Sequence, residues 1–173
     1  MRQTLTLCHQ LLPRRFAWLM DLYEENHARL ERLFAPASLV PDRYRSSVGD
    51  GLDVLLEIIE RHAYTTEIRL SYDLVDPETG LLAPSAMLRV YDDARVAEAT
   101  HCQPGRQMID VLGPFPPVRV VADHRLRMNS FLSRWLDYLG EHGHSRHTLT
   151  IDDAAAVWPT GAGDGTSAEA GGD

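Results

Sequence analysis

Apolar residues return at helical spacing in two stretches of the chain and at alternating spacing between them. From about Arg14 to Phe34, the residues Phe16, Leu19, Met20, Tyr23, Leu30 and Phe34 form one stripe, while Asp21, Glu24, Glu25, Arg29 and Arg32 fall largely off it. That period predicts an amphipathic helix begun just after Pro13, whose fixed φ suits a first helical turn. Met128, Phe131, Leu132, Trp135, Leu136 and Leu139 form a second stripe and predict a helix from about Asp123 to His142. Asp123 is its expected N-cap and Gly143 its expected C-terminal cap. His27 lies on the first stripe and reads as a buried or edge-lying histidine, not as a metal ligand.

Between the helices the pattern shortens to strands. Tyr64-Thr65-Thr66-Glu67-Ile68-Arg69-Leu70-Ser71-Tyr72 is rich in β-branched and aromatic residues, which favour an extended chain. Further strands are expected at about Met87–Asp92 and Arg95–Cys102, after a turn at Asp76–Gly80, and one more short strand at Gln107–Leu112. The segment Leu52–Arg61 is ambiguous. Leu52, Leu55, Leu56 and Ile59 fit a helix, and pattern alone prefers one, yet the run is short, follows Gly49 and Gly51, and leads straight into a strand.

Arg89 to Glu98 read as a hairpin. With Asp93 and Ala94 in the turn, Asp92 pairs with Arg95, Tyr91 with Val96, Val90 with Ala97 and Arg89 with Glu98. Alternation then places Arg89, Tyr91, Val96 and Glu98 on one face. The simplest role for Arg89 and Glu98 is a cross-strand ion pair contributing about 0.2–1 kcal/mol. The functional alternative is that Arg89, Tyr91 and Glu98 grip a ligand or a partner chain.

Two helical stripes and one meander define the smallest architecture that buries both patterns. The fold class is α+β: an antiparallel β-meander of four to six strands packed with an N-terminal and a C-terminal amphipathic helix. One domain is expected over 14–151, followed by an acidic Ala/Gly-rich disordered tail over 152–173, apart from docking of Val157-Trp158. A length of 173 residues with 44% apolar content suits a single core.

Charge and composition narrow the chemistry. The net charge is −8, but five acidic residues sit in the tail, leaving about −3 for the rest. Nucleic acid is therefore not the expected partner, because nonspecific affinity for it comes from basic side chains neutralising phosphates. All 17 basic residues are Arg, which excludes Schiff-base and P-loop lysine chemistry. Cys8 and Cys102 are isolated, and no stretch approaches the apolar length that crosses a bilayer. The N-terminus lacks a signal peptide's apolar run, so the expected location is cytoplasmic.

No Gly-rich phosphate loop, nucleophile elbow or HExxH occurs. His142, His144 and His147 are the one His-rich cluster, but they sit at and beyond a helix end and are read as non-ligating. Neither a cofactor nor a metal is expected.

The order of motifs resembles the YqiB-like proteins, a proteobacterial family of unknown function, over roughly Leu19 to Gly143. Carrying the resemblance are Glu24, Asn26, Leu30, Arg32 and Leu33 in the first helix, Tyr64-Thr65-Thr66 at a strand start, and Pro84, Arg89, Tyr91, Asp93, Ala94, Val96, Ala97 and Glu98 in the hairpin. Asn129, Phe131, Leu132, Trp135 and Leu136 carry it in the last helix. The resemblance implies a strand at Leu52–Arg61, against the pattern-only preference, and no established activity. His124-Arg125 stands where the related proteins have a Glu-Lys pair, and His144, His147 and the acidic tail have no counterpart.

The reading that follows is a non-catalytic binding or adaptor domain using a polar sheet face. Its candidate binding residues are Tyr64, Thr66, Arg89, Tyr91, Glu98 and Asn129, and its expected partner is a protein or a small anion. One alternative is a small hydrolase acting on a nucleotide or other anion, with Glu98 or Asp93 as acid/base and Arg89 binding charge. A structural homodimer is the other.

Overall fold

Val54, Leu56 and Ile58 alternate with Leu55 and Glu57, and the period of two prevails over the helical one: the ambiguous segment is a strand. The computed structural model describes residues 3–49, 52–102 and 112–153, with side chains from Arg14 onward. Its elements are helix α1 (Gln3–Phe34), a 3-10 turn (Pro36–Ser38), strands β1 (Arg43–Ser46), β2 (Val54–Arg61), β3 (Thr65–Tyr72), β4 (Ser85–Tyr91) and β5 (Val96–His101), helix α2 (Val118–Glu141) and strand β6 (Leu149–Ile151).

The strands form one antiparallel sheet in the order β5-β4-β3-β2-β1-β6. Strands β1 to β5 are a meander, and β6 returns after α2 to pair with β1 at the far edge. This is the expected α+β arrangement at the upper end of the expected strand count. Both helices pack on the sheet face that presents Leu56, Ile68, Leu88 and Ala97, meeting them with Phe34, Leu132, Leu136 and Leu139. Gly140 belongs to this junction: a Cβ there would stand 3.3 Å from Leu33 Cδ2, so a bare backbone lets α1 and α2 approach. Gly143, at φ +90°, ends α2 in the left-handed conformation that caps a helix.

Several boundaries differ from the sequence reading. Helix α1 starts at Gln3, so Pro13 lies inside it and not at its first turn. Helix α2 starts at Val118 with Pro117 as its N-cap, so Asp123 is an interior residue and bonds Arg15 of α1. The stripe on α1 also sits differently: Phe16 is 62% exposed, whereas Leu22 and Leu33 are buried. On α2, Phe131 is 42% exposed and rests against Trp135, its ring centroid 5.6 Å away.

Short strands β1 and β6 had no pattern to announce them. They are held by Arg45, whose guanidinium reaches Asp53 (3.1 Å), Asp73 (2.5 Å) and Asp152 (3.1 Å). Asp152, just past β6, also donates its amide to Arg43 O at 2.9 Å. The tail beyond 153, including Val157-Trp158, lies outside the described residues. So does the strand expected at 107–112, except for Leu112, which is not in a strand.

Candidate functional site

The hairpin takes the expected register: Arg89 faces Glu98, Val90 faces Ala97 and Tyr91 faces Val96. Its turn is wider than a two-residue loop. Asp92 does not pair with Arg95; its amide donates to Tyr64 O at 3.0 Å. Arg95 closes the connection in the left-handed region, at φ 55°, and Asp93 Oδ1 accepts from the Ala94 amide at 2.8 Å.

Arg89, Tyr91 and Glu98 alternate with Val90 and Ala97, which face the helices, so they belong to the opposite, outer face of the sheet. The ion pair expected between Arg89 and Glu98 is absent. Arg89 donates instead to Glu67 Oε1, from Nε at 3.0 Å and from Nη2 at 2.7 Å. Glu67 stands directly opposite Arg89 on its other side, in β3. A residue in an interior strand has two cross-strand neighbours, and counting only the hairpin considers one of them. Glu67 first, and then Tyr91, hold the Arg89 guanidinium above its ordinary pKa.

Glu98 lies on edge strand β5 and turns to the helices. Its Oε1 accepts from Tyr91 OH at 3.2 Å, and its Oε2 accepts from Arg125 of α2 at 3.2 Å. Tyr23 of α1 joins the same junction. Burial, and secondarily the Glu98 charge, push its phenol above the usual tyrosine value. Farther across the outer face, Glu57 bonds Arg43 at 3.1 Å and Arg69 at 3.2 Å, a second charge ladder beside the Glu67–Arg89 one.

The other candidates are placed elsewhere. Thr66 is 1% exposed and Asn129 0%, so both are interior. Asn129 Oδ1 accepts from the Ala99 amide at 2.8 Å, and its Nδ2 donates to Arg125 O at 2.9 Å. Its own carbonyl accepts from Asn26 Nδ2 at 3.2 Å, which ties α1, α2 and β5 together. Tyr64 is 65% exposed at the hairpin end, beside Asp92. The outer face thus gathers Arg89, Tyr91 and Glu98 with Tyr64 at its end, and leaves out Thr66 and Asn129.

Sequence reasoning did not connect Glu67 to Arg89, nor Arg125 and Tyr23 to Glu98. Alternation along β3 could have supplied Glu67, two residues before Arg69. Arg125 and Tyr23 depend on how the helices lie across the edge strand, which no local pattern carries.

Two further groups bear on chemistry. Burial pushes the Cys102 thiol up to about 11, which keeps it protonated and weakly nucleophilic near neutrality. The histidine cluster is divided: His144 is buried with Nδ1 2.8 Å from Ser46 Oγ, while His142 stacks on Tyr138. On the helix side, a shallow groove of about 800 Å³ is lined by Trp18, Leu126 and Phe131 with Arg15, Arg127 and Arg134. None of the six candidates lines it. No helix among the described residues is long and apolar enough to cross a membrane.

A family model for proteins of unknown function, DUF1249, matches residues 29–145. No curated protein and no solved structure matches the chain.

Proposed function

The chain belongs to DUF1249, a family of proteins of unknown function, and on that premise we propose that it is a non-catalytic binding domain that receives a protein partner on the outer face of its sheet. The YqiB-like proteins are the finer placement within that family, and the cytoplasm the compartment. The observation that carries the reading is a fixed polar array on the outer face, open to solvent at Arg89, while the helices reach its Glu98 edge through Arg125 and Tyr23. Arg89 is anchored by Glu67 while its side chain stays 42% exposed, and Tyr91 is anchored by Glu98.

Side chains held in place lose little rotamer freedom when a partner arrives, so such an array contributes affinity at a low entropic cost. An open array suits a protein surface, whereas a small ligand is usually enclosed in a pocket. The hydrolase alternative draws no support from the same geometry. Both oxygens of Glu98 already accept bonds that fix the helix–sheet junction, and Asp93 sits in an exposed turn bonded to its own neighbour.

Affinity capture from a native lysate of the source cells tests this, with wild type, Arg89→Ala and Phe131→Ala compared at matched circular dichroism. A discrete protein retained by wild type and Phe131→Ala, and lost by Arg89→Ala, is the expected result. Identical capture by all three removes the outer face from the account.

A further inference from the structure

His27, Glu31 and Asp92 meet at the seam between α1 and the β4–β5 turn. One candidate ligand atom from each lies within 4.8 Å of the other two. His27 and Glu31 are four residues apart on α1, so they project from one side of the helix in successive turns. Asp92 approaches from the sheet, its backbone fixed by the amide bond to Tyr64 O. The sequence reading of His27 as a buried, non-ligating histidine does not draw on Glu31 four residues on, and only the fold brings in Asp92.

What calls for a ligand is the burial of His27 and of one oxygen of Glu31, although Glu31 and Asp92 are otherwise half-buried. His27 is only 9% exposed, and no hydrogen bond to its ring occurs among the described residues. Glu31 Oε1 is shut off from solvent with no donor. A shielded carboxylate oxygen without a donor is destabilising, and a second carboxylate nearby adds repulsion. A divalent cation would answer both.

We infer that His27, Glu31 and Asp92 form a binding site for a divalent transition-metal ion of the zinc type. One imidazole nitrogen and two carboxylate oxygens suit such an ion, while magnesium and calcium prefer an all-oxygen set. Bonds of about 2.0–2.2 Å place tetrahedral ligand atoms about 3.4 Å apart. The three atoms therefore need to draw in by no more than about 1.4 Å, a movement that side-chain rotation supplies. Three protein ligands leave a fourth position for water or a small anion. Binding ties α1 to the hairpin next to Tyr91, yet the site stands apart from the partner-binding reading, and either can fail alone.

The test uses the full chain, stripped with EDTA and dialysed into metal-free buffer, then titrated calorimetrically with zinc chloride and melted with and without zinc. Wild type should bind one ion tightly and melt at a higher temperature when loaded. Asp92→Asn, which keeps the side chain's shape and the backbone bond, should weaken binding at least tenfold and lose the melting shift. His27→Gln should do the same, and the double variant His142→Gln/His147→Gln should behave as wild type. The inference is overturned if Asp92→Asn titrates like wild type, if the double variant loses the site, or if wild type shows neither heat nor melting shift.

Discussion

Asn129 shows how much of a junction one side chain can hold. Its amide satisfies the Ala99 N–H of an edge strand and a carbonyl of its own helix, while its backbone receives Asn26 from the other helix. Asn129→Ala strands the buried Ala99 N–H, and leaving a buried donor unmade costs about 1–3 kcal/mol. A lower urea midpoint with binding behaviour intact is expected; an unchanged midpoint would mean that the junction relaxes around the loss. Asp53 makes a pH-dependent contribution of the same local kind. The Ser47 side chain, and next Arg45, hold its carboxyl below the usual value. Its stabilisation is therefore complete above the ordinary carboxylate range and is lost as pH falls through the lowered folded-state value. Urea midpoints followed from pH 5 downward should fall less steeply in Asp53→Asn than in wild type; parallel curves would contradict this.

At the scale of elements, the far sheet edge depends on Arg45. Asp152 keeps only 4% of its side chain exposed, and Arg45 is one of its partners. Arg45→Gln leaves that carboxylate uncompensated, a loss of about 3 kcal/mol by comparison with other broken buried pairs. Hydrogen exchange should quicken at Leu149–Ile151 ahead of the central strands; uniform quickening would mean that β6 is not a separately held element. These short strands were not legible, because four and three residues are too few to establish a period. Helix α2 and the hairpin register were legible, because Leu132, Trp135, Leu136 and Leu139 are all buried and alternation fixed Arg89 against Glu98. In Leu52–Arg61 the apolar residues fit both periods, and only pairing with β1 and β3 decides between them. Pro13 suggested a helix start at which the chain is already helical.

At the scale of the molecule, the two helices close one sheet face and reach only the Glu98 edge of the other, which carries the Glu67–Arg89 and Glu57–Arg43 charge ladders. The register of Arg89, Tyr91 and Glu98 could be read from alternation, but their bonding partners come from Glu67 and Arg125, a neighbouring strand and a helix. Side chains that sequence order made look equivalent are separated by the sheet itself: Thr66 turns to the core one residue before Glu67 turns outward. The proposed metal set has the same origin, since Asp92 comes within reach of His27 and Glu31 only through the folding of the hairpin onto α1. On the proposed function, the outer face receives the partner. Photo-crosslinking tests it most directly, with a benzophenone amino acid placed at Met87 on that face or at Trp18 in the helix-side groove. A discrete protein adduct from position 87, abolished by Arg89→Ala, is the predicted result; an adduct formed from position 18 alone would contradict it.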